Sequence, residues 1–161
     1  MAQSLARSLA KAEAIAKARG AAMTPIRRRV LSLILKAKKP IGAYDLLAEL
    51  KTATGKAMPP TVYRTLDFLI AQGFVHRIES RNAFVACVEA DSPHRSQFAI
   101  CDSCGRTVES MDDDLARKLS RQAARLGFTV EHQIVEMHGT CATCQNGRGG
   151  QGHDRHRHSP S

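Results

Sequence analysis

Apolar residues recur at helical spacing through most of the first half of the chain. Ala2 to Arg19 form an alanine-rich amphipathic stretch. Thr24-Pro25 marks a second helix start, a capping hydroxyl followed by proline at the first helical position. Ile26, Val30, Leu33 and Ile34 give that helix its apolar face, and Lys38-Lys39-Pro40 ends it. Gly42 precedes a short helix over Ala43 to Lys51, striped by Leu46, Leu47 and Leu50. A loop from Thr52 to Pro59 leads to a helix over Pro60 to Gln72, with Val62, Leu66, Leu69 and Ile70 on one face and Gly73 as its stop. Two strand-like runs follow, Phe74 to Glu79 and Asn82 to Val88, around a turn at Ser80 to Asn82. Helices followed by a hairpin are the order of a winged helix-turn-helix.

The second half changes rhythm. Gln97 to Ile100 reads as a strand entering Cys101-Asp102-Ser103-Cys104-Gly105, with Arg106 to Glu109 returning. Ser110 and the Asp112-Asp113-Asp114 run suit a helix start, where carboxylates complement the positive end of the dipole. That helix runs through Leu115, Leu119 and Leu126 to Gly127. Phe128 to Val130 and Gln133 to Met137 read as two further strands ahead of Cys141. From Asn146 to Ser161 the chain is Gly-rich and polar, the composition of a disordered tail. The fold class is α+β: a winged helix-turn-helix over 1–88, then a small α/β module over 96–145 and a His-containing tail over 146–161.

Charge divides the halves further. The formal net charge is +9, and residues 1–90 hold 15 Lys and Arg against 6 Asp and Glu, so all the excess lies there. Such asymmetry points to a polyanion-binding half joined to a neutral half with another task. On the helix over 60–72, Arg64 falls almost opposite the apolar stripe, with Thr61 and Asp67 to either side. An arginine early on an exposed helix face is placed to enter a major groove. Tyr63, on the flank, suits either a half-buried ring or a base or phosphate contact.

The cysteines carry the sharpest chemistry. Cys101-x-x-Cys104 and Cys141-x-x-Cys144 are two matched pairs, and each such turn lets both sulfurs reach one ion at about 2.3 Å. A module of about 50 residues has too little apolar surface to fold securely alone, and a four-thiolate zinc could add about 10 kcal/mol or more. A thioredoxin-type redox pair would need only one CxxC. The fifth cysteine, Cys87, stands apart. With the hairpin turning on Arg81-Asn82, His76 lies directly opposite it, at a Cβ separation of about 5 Å. That is half a transition-metal site, which His94 and Glu109 would complete; a half-buried histidine beside an inert cysteine is the other reading. His132, His138 and the tail residues His153, His156 and His158 suit surface roles or accessory ligation.

Thr24-Pro-Ile-Arg, Ala43-Tyr-Asp-Leu-Leu, Pro60-Thr-Val-Tyr-Arg-Thr-Leu and the paired cysteines closely resemble the ferric uptake regulator family. Gly73-Phe-Val-His-Arg-Ile-Glu-Ser and His138-Gly-Thr-Cys resemble its zinc uptake regulator branch. The resemblance spans about residues 4–144. It implies a homodimeric, zinc-responsive repressor that binds palindromic operator DNA and controls zinc-uptake genes, with about two zinc ions per subunit. It implies structural ligands Cys101, Cys104, Cys141 and Cys144, and sensing ligands His76, Cys87, His94 and Glu109. Tyr44 and Arg64 fall where such relatives contact bases. Ala48 and Lys51 stand where relatives carry an aspartate–arginine pair that bridges neighbouring dimers, so that bridge cannot form as such here.

A thiolate, two imidazoles and a carboxylate suit tetrahedral zinc better than octahedral iron or manganese, which disfavours an iron or peroxide sensor of the same family. From other classes, a thiol oxidoreductase or a zinc-ribbon nucleic-acid enzyme remains as a rival. No nucleophile–base set, phosphate loop or small-molecule substrate site is recognisable, and the expectation is a non-enzyme. Lacking a signal-like or membrane-spanning apolar run, the chain is expected in the cytoplasm.

Overall fold

The computed structural model describes residues 2–54, 58–87, 89–91, 96–130 and 133–147. Four helices open the chain: α1 (Ala2–Ala18), α2 (Pro25–Lys36), α3 (Ala43–Thr54) and α4 (Pro59–Ala71), with a two-residue strand β1 (Ile41–Gly42) before α3. Thr24 caps α2 by accepting from the Arg27 backbone N–H at 3.4 Å, with Pro25 in the first turn. Leu9, Ala12 and Ala16 of α1 join Val30, Ile34, Leu46, Leu50, Val62, Leu66 and Leu69 in one core. On α4 the buried face is Val62, Thr65, Leu66 and Leu69; Ile70, assigned to it from spacing, is exposed. Gly73, at φ +72°, ends that helix in the left-handed conformation that favours glycine.

Strands β2 (Val75–Ile78) and β3 (Ala83–Ala86) form the wing, and β1 pairs with the outer side of β3 to give the order β1-β3-β2. The hairpin register differs from the one expected. A 3₁₀ turn over Glu79–Arg81, with Asn82 left-handed at φ 45°, closes the hairpin at Ile78↔Ala83. His76 therefore faces Val85, and Cys87 lies beside Phe74, whose carbonyl accepts its backbone N–H at 3.0 Å. The shift is two residues, so the side-chain alternation is unchanged. His76 and Cys87 stay on one face as diagonal neighbours instead of direct partners.

The second sheet has the order β5-β4-β6, from β4 (Ser96–Cys101), β5 (Thr107–Met111) and β6 (Val135–Gly139). β4 runs antiparallel to β5 and parallel to β6. Helix α5 (Asp113–Arg125) starts under Asp112, whose carboxylate accepts from the Leu115 N–H at 3.0 Å, and α6 (Ala142–Gln145) carries the last cysteine. Ser110 belongs to β5, not to the helix start. Phe128 to Val130, expected as a strand, pair with neither sheet, and Phe128 is 71% exposed. Ile78, Phe98 and Ile100, with Val85 against them, make a small second core where the wing meets β4. Among the described residues no helix is long and apolar enough to cross a membrane.

Candidate metal centres

The parallel pairing of β4 with β6 brings the two CxxC turns together. Cys101 ends β4, opposite Gly139, and two residues beyond Gly139 the chain reaches Cys141. The first turn closes when the Gly105 N–H donates to the Cys101 carbonyl at 2.9 Å, with Gly105 at φ +74°. The second is the first turn of α6, where the Cys144 N–H donates to the Cys141 carbonyl at 2.9 Å. All four sulfurs lie within 4.8 Å of one another, and two separations, Cys101–Cys144 and Cys104–Cys141, are 3.8 Å. A tetrahedron with arms of about 2.3 Å has edges of about 3.8 Å, so these two pairs already stand at zinc-site spacing. A disulfide needs about 2.05 Å, and none of the five cysteines is in one. The Cys141 backbone N–H, 3.3 Å from the Cys101 sulfur, and the Cys104 N–H hold the Cys101 thiol below its ordinary pKa. Cys144 is pushed up, first by its hydrogen bond to Cys141 and then by burial.

A second cluster sits between the halves. His76 on β2, Cys87 just after β3 and Glu109 on β5 place their ligand atoms within 4.8 Å of one another. Glu109, its side chain only 4% exposed, has an oxygen 3.0 Å from His76 Nε2. Burial, with the Glu109 carboxylate beside it, pushes the Cys87 thiol up to about 12. His76 also lies at 5.5 Å from the Phe98 ring, which closes one side of the site. His94, the expected fourth member, lies outside the described residues, as do His132, His153, His156 and His158.

Ser96 belongs to this cluster and was not anticipated. Its hydroxyl donates to Glu109 Oε1 at 2.5 Å and lies 3.2 Å from His76 Nε2. The available signal was alternation: Ser96 shares a strand face with Phe98 and Ile100, and a hydroxyl on a buried apolar face needs a polar partner.

The expected nucleic-acid residues stay separate from both clusters and exposed to solvent. Tyr44, 80% exposed, stands at the start of α3, while Thr61, Tyr63 and Arg64 line the outer face of α4. Ala48 and Lys51 lie on the exposed side of α3. Of the arginines that open α2, Arg27 is engaged internally, its guanidinium 3.5 Å over the Phe68 ring. Arg28 pairs with Glu13 of α1.

A four-helix core with a winged hairpin, joined to a small α/β module by a cluster of ligating side chains, defines a winged-helix protein with two candidate metal centres. The chain belongs to the ferric uptake regulator family, whose sequence pattern matches residues 18–138. It is 45% identical over 137 residues to the zinc uptake regulation protein of Escherichia coli (strain K12), covering 84% of this chain and 80% of that one. A solved zinc uptake regulator in complex with zinc and DNA superposes with a TM-score of 0.85 at 43% identity, over 88% of this chain and 95% of that one. The regulator XcZur offers two states. Its holo form matches with a TM-score of 0.80 at 46% identity, over 86% of this chain and 96% of that one. Its apo form, at 44% identity and covering 88% and 97%, reaches only 0.51. At equal sequence similarity, the chain shares the holo form's arrangement of its parts.

Proposed function

We propose that this protein is a zinc-responsive transcriptional repressor that binds palindromic operator DNA as a homodimer and controls zinc-uptake genes in the cytoplasm. The observation that carries the reading is the His76–Cys87–Glu109 cluster, which draws ligand atoms from the wing and from the C-terminal sheet into one site. The proposed division places a winged helix at 1–88, a hinge at 89–95, a dimerisation domain at 96–145 and a tail beyond. Two zinc ions per subunit are proposed. Cys101, Cys104, Cys141 and Cys144 would hold a structural one, and His76, Cys87, His94 and Glu109 an exchangeable one.

Bound zinc supplies a dication that offsets the charge of thiolate and carboxylate. The residues do the rest. His76 and Cys87 commit the wing, Glu109 commits the C-terminal sheet, and Ser96 orients both His76 and Glu109. Gathering them fixes the angle between the halves, and so the spacing of the two Arg64-bearing helices in a dimer. Moving such an equilibrium from about 1% to about 99% closed needs about 5.5 kcal/mol of differential affinity. Tyr44, Thr61, Tyr63 and Arg64 are the proposed DNA contacts. The dimer is supported by exposed apolar side chains concentrated in the C-terminal half, among them Val108, Met111, Leu126, Phe128, Ile134 and Met137. No catalytic residue is proposed.

The test is metal content after mild chelation, measured beside operator binding by fluorescence anisotropy. Two zincs per subunit, one exchangeable and required for operator binding, are expected. Operator binding that ignores the exchangeable metal would sink the reading.

A further inference from the structure

Among the described residues, polar contacts join the wing to the C-terminal half at two places. One is the His76–Glu109 contact. The other lies three residues further along the same strand, about 10 Å away at an extended rise of 3.3 Å per residue. There the turn over Glu79–Arg81 is held by side chains from across the interface. Glu136 of β6, its side chain 10% exposed, accepts from the backbone N–H of Glu79 at 2.7 Å and of Ser80 at 3.2 Å. His138, two residues on, lies 3.1 Å from the Ser80 hydroxyl through Nε2 and 3.0 Å from Asp102 through Nδ1. Arg81 donates to the Cys101 carbonyl at 3.2 Å and to Asp102 at 3.1 Å. Between the two places, Ile78 packs with Phe98 and Ile100.

This arrangement has a direction. A carboxylate that gathers two successive amides at the start of a 3₁₀ turn does the work of a helix cap, and charge-assisted bonds of this kind are the stronger sort. Here the cap comes from the other half of the molecule. The wing's own ladder closes at Ile78↔Ala83 without it. What Glu136 determines is where the wing sits.

We propose that Glu136, backed by His138 and Arg81, is a positioning residue for the exchangeable metal site: by clamping the wing turn it keeps His76 in reach of Glu109. The proposal rests on reading that cluster as the sensing site. Loosening the clamp lowers the fraction of molecules whose ligands are gathered, and the apparent metal affinity falls by that fraction.

The test is a cobalt(II) titration of protein that retains its tightly held metal, comparing the wild type with Glu136→Gln and Glu136→Ala. Glutamine keeps one acceptor oxygen but turns an NH₂ towards the second amide, so it is the milder change. The expected result is a midpoint shifted about tenfold to weaker binding in Glu136→Ala, and less in Glu136→Gln. The cobalt absorption band should keep its shape, because the ligands themselves are untouched. A Cys87→Ser control should lose the thiolate band altogether. Identical midpoints in wild type and both variants would overturn the proposal alone. A changed band shape would also overturn it, since Glu136 would then alter the ligand set. A wild type with no exchangeable metal would overturn the reading of the site, and the proposal with it.

Discussion

The two ligand clusters differ in how far the chain travels to build them. The four-cysteine cluster is assembled within one sheet: two tight turns at the ends of neighbouring strands, with backbone amides aimed at a sulfur. The His76–Cys87–Glu109 cluster takes members from β2, from the end of β3 and from β5, and it exists only while the wing rests on the C-terminal sheet. A local site staples what is already adjacent. A composite site responds to, and in turn biases, the angle between the halves. The thiols differ as well. Within the local site Cys101 is held below its ordinary pKa by the amides of Cys141 and Cys104 while Cys144 is pushed up, whereas the composite site has a single thiol, Cys87, that burial beside Glu109 pushes up to about 12. At the composite site that one proton must leave before a metal can bind.

Breaking the local site should have the largest effect. Cys141→Ser is expected to remove about 10 kcal/mol of metal-linked folding energy and to unfold the C-terminal module, leaving the α1–α4 core helical. Circular dichroism and hydrogen exchange of the two halves would show it. A variant that melts like the wild type would mean that the cysteines are not the staple. Cys87→Ser should do the reverse, leaving fold and one tightly held zinc intact while abolishing the metal dependence of operator binding. Metal analysis with anisotropy reads both, and normal zinc-responsive affinity in this variant would remove Cys87 from the site.

The next effect is a pH slope. Below a thiol pKa of about 12 the Cys87 proton is present in the metal-free protein and is released on binding. Apparent affinity at the composite site should therefore rise with pH, by about tenfold per unit for this one proton. A flat profile from pH 6 to 8 in competition titrations would mean that the thiol is not a ligand. The smallest change leaves both clusters alone. Arg64→Ala should keep both metals and weaken specific operator binding by about 1–3 kcal/mol. An equal loss on random DNA would make Arg64 a phosphate contact instead.

Much of this was legible because it is local. The Thr24-Pro25 cap, the Gly73 stop, the helix start at the Asp112–Asp114 run and both CxxC turns depend on residues within a few positions of one another, and each stands where the pattern placed it. The hairpin shows where locality ends. Arg81-Asn82 looks like a two-residue turn, but the 3₁₀ turn over Glu79–Arg81 widens the loop and moves the register by two. The site survived because alternation has a period of two, so a two-residue shift returns every side chain to its face. Phe128 to Val130 had the composition of a strand but join neither described sheet. Ser96 and Glu136 carried no motif at all, since their partners lie on other elements.

The sequence by itself thus determined most of the elements, the winged-helix order and the two CxxC turns. Each follows from backbone preference, apolar periodicity or the reach of a short turn. Only the tertiary structure decided that Cys87 meets His76 diagonally, that Ser96 bonds to Glu109, and that Glu136 accepts from two amides of the wing turn. The first follows from the width of the hairpin turn, the second from the pairing of β4 with β5 and the third from how the wing rests on β6, and no spacing along a chain encodes such pairings between elements.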